Sequence, residues 1–165
     1  MIACRNFILV IVVLILMTGP TPGSDKTAVI EAFSQTATAY ANDSFLLLGM
    51  VGDQFVSGIF SKESAIRTVS GVQKRIRIIR SKINMARGIA KTEQEQKWLK
   101  MLDGIYVCLD QQAWTLSKYL HENIPVNAKR FDELRNNCIE KLNILEQYYA
   151  SLGSPDELPA PLSTR

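Results

Sequence analysis

Cys108 and Cys138 are the residues of this sequence with the plainest chemistry open to them. Two thiols can close a disulfide, stay free and pack as small hydrophobes, or ligate a metal. The metal option is weak, because two cysteines without a paired histidine do not make a zinc site. Spacing favours the disulfide. The stretch Asn123-Ile124-Pro125-Val126-Asn127 predicts a turn, and Cys108 lies fifteen residues before position 123 while Cys138 lies fifteen after it. In an antiparallel helical hairpin, residues equidistant from the turn are level. Axes about 8–10 Å apart then allow the Cα separation of about 5.5–6 Å that a bridge needs. Cys138 falls on a core stripe and Cys108 on a flank. A bridge closing this loop of about thirty residues is worth roughly 3 kcal/mol through restriction of the unfolded chain.

Catalysis has little to stand on. His121 is the only histidine, and it falls in the last turn of a predicted helix, where an imidazolium suits the helix dipole. The sequence holds no Glu-x-x-His pair for a di-metal bundle site, no Cys-x-x-Cys-His for covalent haem, and no glycine-rich phosphate loop or nucleophile motif. The expectation is a non-enzyme without metal or cofactor. A formal charge of +3 is too small for a nucleic-acid binder, so any electrostatic argument must be local.

Compartment follows from the third cysteine and its surroundings. Cys4 and Arg5 precede Phe7 to Met17, FILVIVVLILM, an unbroken apolar run of eleven residues. As a helix it would span about 16 Å, against about 30 Å of bilayer core. It therefore reads as the apolar part of a secretory signal over residues 1–23, with Thr21-Pro22-Gly23 as the cleavage site. Retained, the leader would instead tether the domain to a membrane, the one route to membrane contact expected here. A lipoprotein cysteine would have to follow the run, and Cys4 precedes it. Removal leaves two cysteines in an oxidising space, periplasmic or extracellular, which agrees with a bridge. Of 19 basic and 16 acidic residues, loss of Arg5 leaves 18 and 16, or +2.

The elements that position these residues are helical throughout. Between Gly23 and Ile124 there is no proline, and apolar residues recur at three and four. The first helix, about 26–60, carries Val29, Ile30, Phe33, Ala37, Tyr40, Leu47, Leu48, Val51, Phe55 and Ile59 on one face. Gly49, Gly52 and Gly58 predict a kink or an early stop. Ser61 or Ser64 caps a second helix, whose stripe runs Ala65, Val69, Val72, Ile76, Ile79, Ile83, Ala86 and Ala90. Thr92-Glu93-Gln94-Glu95 is a capping box that opens a third, with Trp98, Leu102, Ile105, Leu109, Ala113, Leu116 and Leu120 inward. After the turn, Asn127 is the expected cap of a fourth, which buries Phe131, Leu134, Cys138, Leu142, Leu145, Tyr149 and Leu152. Gly153 ends it, and 154–165 read as a proline-rich tail. Four amphipathic helices with short connections give an all-α, antiparallel up-down four-helix bundle over 24–153, with a long first helix.

Surface residues remain. The second helix has Arg67, Lys74, Arg75, Arg77, Arg80, Lys82, Arg87 and Lys91 with no acid among them. Arg77, Arg80, Arg87 and Lys91 share one flank within an arc of about 80°. The flank is either a stripe for an acidic protein, an anionic lipid or an envelope polymer, or it is neutralised by acids such as Glu93, Glu95 and Asp103 of the third helix. On the first helix Ala32, Ala39, Leu46 and Met50 line the side away from the core, a candidate homodimer seam or ordinary exposed helix. Trp114, beside Val107, lies about 160° from Trp98 on the helical wheel, outside the core stripe. It is an interface anchor or is covered by the first helix or the tail. The function expected is an exported bundle that binds a protein partner, in the manner of an inhibitor, immunity or envelope accessory protein. The alternative is a small-ligand or sensor-like bundle whose interhelical pocket is lined by Tyr40, Tyr106 or Tyr149.

Overall fold

The computed structural model describes residues 26–151, in which every regular element is helical. The expected leader over 1–23 and the expected tail over 154–165, with Leu152 and Gly153, lie outside the described residues. Four helices follow one another: α1 (Lys26–Val56), α2 (Lys62–Ile89), α3 (Glu93–Glu122) and α4 (Pro125–Ser151). Their directions alternate. Lys62 at the start of α2 donates from Nζ to the His121 carbonyl at the end of α3 (2.9 Å). Trp98 near the start of α3 meets Tyr149 near the end of α4 edge to face, with ring centroids 4.8 Å apart. The ends of α1 and α3 come together through Phe55 and Tyr119, at 5.9 Å. Helix α3 packs against all three others, and α1 lies along it in parallel.

Local chemistry sets the boundaries. Gly58, with φ +72°, takes the left-handed conformation that ends α1, so the expected early stop falls at Val56. Ser61 caps α2, accepting from the Ser64 amide. Thr92 and Glu95 complete the capping box of α3, with Glu95 Oε2 accepting from the amides of both Lys91 and Thr92. Gln96 closes the same corner from the other side, donating to the carbonyls of Arg87 and Ala90 at the end of α2. Asn123 is the left-handed cap of α3, with φ 51°. One expectation is corrected here. Helix α4 starts at Pro125, whose fixed φ suits a first helical position, so Asn127 is inside the helix and donates to Glu122 instead of capping.

The core matches the expected stripes of α2 and α3 and corrects that of α1. Ala65, Val69, Val72, Ile76 and Ile83 of α2 are buried, as are all seven stripe residues of α3. Helix α3 also buries Leu99, Tyr106, Cys108, Gln112 and Thr115, because it has neighbours on three sides. On α1 the buried face is Ile30, Ser34, Ala37, Ala41, Ser44, Phe45, Leu48 and Val51, rotated by roughly 40° from the hydropathic one. Val29 is exposed, and so is Ile59, which lies beyond the helix end. Ser34 tolerates burial because its hydroxyl donates to the Ile30 carbonyl (2.6 Å). Small side chains at 37 and 41 let α1 sit close enough for the Tyr106 hydroxyl to donate to the Ala37 carbonyl (2.7 Å).

Two consequences can be measured. Gln112 is fully buried with neither amide atom hydrogen-bonded. Gln112→Met keeps the volume and removes an uncompensated polar group, so it should raise stability by about 1–2 kcal/mol in urea titration. A fall would show that the amide is paired in solution. Burial, and then the neighbouring Tyr40, raise the pKa of Tyr106 above its ordinary 10.0. The unfolded chain therefore releases this proton first. Stability is full below pH 10 and falls above it by about 1.4 kcal/mol per unit. Tyr106→Phe should flatten that alkaline slope, leaving the part due to Tyr149, which burial pushes the same way. An unchanged slope would count against the burial of Tyr106.

Candidate functional site

Helix α3 is covered by three neighbours, so one narrow ridge of it meets solvent. Trp114 stands on that ridge, 49% exposed, with Lys118 Nζ 4.2 Å above its ring centroid. Val107 is half-buried two turns earlier on the same side, and Gln111 is exposed between them. Asp110, one turn before Trp114, accepts from Arg77 Nε of α2 (3.3 Å). The expected aromatic anchor and one end of the basic flank therefore share a face. The sequence reading missed Asp110.

The flank itself is divided. Arg80 donates from Nε to Asp103 Oδ1 at 2.9 Å, a second tie between α2 and α3. Arg77 and Arg80 are thus already paired, and Asp103 is one of the acids expected to neutralise them. Both pairs are partly exposed, so each is worth at most about 1 kcal/mol. Arg87 is half-buried beside the α2–α3 corner and Lys91 is exposed at it, with the Arg87 carbonyl and the Lys91 amide used in capping. Neither makes an ion pair among the described residues. His121 is exposed, and its Nδ1 lies 2.8 Å from the Ser117 carbonyl.

Ala32, Ala39, Leu46 and Met50 are all exposed on the side of α1 turned away from α3, as the spacing requires. Asp43 is exposed among them. Among the described residues nothing covers this row.

Tyr40, Tyr106 and Tyr149, the tyrosines expected to line a pocket, are taken up by packing. Tyr106 is packed solid, Tyr149 meets Trp98 edge to face, and Tyr40 is half-buried against the core. A groove of about 300 Å³ opens at the other end, lined by Gly52, Val56, Leu116, Tyr119 and Phe131 with Asp53 and Asp132 beside them. Within it α1 runs close to α4. A Cβ at Gly52 would lie 3.2 Å from the Phe131 ring. Arg135 reaches Asp53 across the same gap at 3.6 Å. Among the described residues no group of three or more His, Cys, Asp or Glu is placed to hold a metal ion, and no helix is long and apolar enough to cross a membrane.

Cys108 and Cys138 are both buried and lie at disulfide distance, with Cα atoms 5.7 Å apart. The level registry of the α3–α4 hairpin places them there, and α3 has turned Cys108 from a flank into an interior position. No family model matches the sequence, and no curated protein or solved structure is significantly similar to it.

If the pair is oxidised, the 30-residue separation makes the bridge worth roughly 3 kcal/mol. Protein isolated from an oxidising compartment and analysed without reductant should then weigh two hydrogens less than its reduced form. Dithiothreitol should lower its urea midpoint accordingly. Two free thiols in the non-reduced mass would show instead a pair of packed hydrophobes.

Proposed function

We propose that this chain is an exported four-helix bundle, crosslinked between Cys108 and Cys138, that works by binding a protein partner through the Trp114 ridge and not by catalysis. The observation that carries this reading is Trp114 itself. Helix α3 hides its other large apolar side chains, including Trp98 and Tyr106, yet leaves this indole half in water under the Lys118 ammonium. Aromatic residues ringed by polar groups are the usual centres of binding energy at protein interfaces. Val107 and Gln111 extend the contact along α3, and the Arg77–Asp110 pair forms a polar rim. Burial of the two cysteines at bonding distance supports export to an oxidising compartment. The small-ligand reading is the weaker one, because the tyrosines that would have supplied polar handles are taken up by packing.

Trp114→Ala tests the proposal. It removes a half-exposed ring, so the melting temperature should change little, while capture of a specific partner from the native envelope fraction should fall at least tenfold. Capture that persists alongside a melting temperature several degrees lower would mean that Trp114 serves the fold.

A further inference from the structure

The pairing of Arg77 and Arg80 with α3 leaves a different set of cations on α2 without partners. Arg67, Lys74, Arg75 and Lys82 are all exposed, and none makes an ion pair among the described residues. On the helical wheel they fall within an arc of about 100° that also holds Ile78, Met85 and Ile89. These three apolar side chains are 52%, 60% and 53% exposed. The ridge runs for about 33 Å from Arg67 to Ile89. It lies roughly 140° around α2 from the Arg77–Arg80 flank. It goes beyond the protein-binding face proposed above.

We infer that this outward ridge of α2 docks the bundle flat on an anionic phospholipid surface. Apolar side chains sit in the middle of the arc, with Lys74 on one border, Arg75 and Lys82 on the other, and Arg67 in line with Met85 at the start of the ridge. That is the arrangement of a helix lying in a membrane interface: the apolar groups enter the acyl boundary while long cationic chains reach back to the phosphates on both sides. No acid occurs on α2 after Glu63, so no charge on the ridge opposes the approach. Charge complementarity is therefore one-signed over the ridge's whole length. A protein groove would need acidic rims along both borders and would favour an aromatic anchor, which this ridge lacks. Lipid meets both requirements with one surface.

The test is co-sedimentation of the full chain with phosphatidylcholine vesicles containing about 30% phosphatidylglycerol, against pure phosphatidylcholine, at low and high salt. Residues 1–23 are in the same state in every variant, so the differences between variants carry the result. Arg75→Glu with Lys82→Glu should weaken anionic-vesicle binding at least thirtyfold and flatten its salt dependence. Ile78→Ser with Met85→Ser should weaken it roughly tenfold while leaving the salt dependence in place. Lys129→Glu with Arg130→Glu makes the same charge change on α4, at exposed residues, and should have little effect. The inference is overturned if the α4 pair weakens binding as much as the ridge pair, if the ridge variants bind like the parent chain, or if neutral vesicles bind equally well. Equal affinity for soluble polyglutamate would replace the lipid surface by an acidic protein and overturn it too. Circular dichroism of each variant confirms that the helices are intact.

Discussion

The burial of α3 on three sides is the constraint on which the rest depends. An isolated amphipathic helix hides one stripe, but α3 buries residues well beyond its apolar stripe, Gln112 and Thr115 among them, and it does so because α1, α2 and α4 cover it together. Each neighbour is held by different chemistry. Helix α4 lies level along α3, with Cys138 against Cys108 and Tyr149 against Trp98. Helix α2 is tied by its termini, through Lys62 to His121 and through Gln96, and by the Arg77–Asp110 and Arg80–Asp103 pairs between them. Helix α1 relies on close approach, with alanines inward and the Tyr106 hydroxyl reaching its backbone. Because so little of α3 is left over, whatever remains exposed on it was not needed for packing. Trp114 belongs to that remainder.

The same division explains the charge of α2. A helix with eight cations and no acid after its first turn repels itself unless counter-charges come from elsewhere. Asp103 and Asp110 supply them, but only to the flank that faces α3. Helix α2 thus has a satisfied side that serves cohesion and an unsatisfied side where cations alternate with Ile78, Met85 and Ile89. Repulsion along the unsatisfied side persists in the isolated protein, and an anionic surface would relieve it.

How much of this was legible in the sequence differs from helix to helix, for physical reasons. Helices α2 and α3 announced their core stripes because polar and apolar residues separate cleanly around them. The capping box at Thr92 and the level cysteines were legible too, since both depend on short-range geometry. Helix α1 was not, because it is apolar nearly all round and its true core face includes Ser34 and Ser44, which hydropathy places outside. Ser34 is buried with its hydroxyl bonded to its own backbone, whereas Ser44 is buried with its hydroxyl unpaired among the described residues, and hydropathy signals neither. Pro125 preceded the expected cap because a proline at the first helical position needs no amide partner. Burial of Leu99, Tyr106 and Gln112 off the stripe is a property of how many helices surround α3, and no local pattern encodes that number. Of the candidate surface residues, the spacing correctly set Trp114, Ala32, Ala39, Leu46 and Met50 outside the core. On α2 it left open whether the flank of Arg77, Arg80, Arg87 and Lys91 is free or neutralised; Arg77 and Arg80 are paired and Arg87 and Lys91 are not, because pairing depends on where Asp103 and Asp110 lie across the interface. The exposed row of Ile78, Met85 and Ile89, at intervals of seven and four, was present in the sequence but masked by the charges around it.

Two surfaces on one small bundle raise the question of whether they could be used at once. The ridge of α2 and the Arg77 flank that borders Trp114 are separated by roughly 140° around the helix. A lipid surface under the ridge would therefore leave the Trp114 face turned away from the headgroups and open to a second body. The α2–α3 interface, with its Arg77–Asp110 and Arg80–Asp103 pairs, lies between these faces and fixes the angle at which Trp114 is presented relative to the surface below. Binding at one face would then orient the other by rigid geometry alone, with no conformational change required of the bundle.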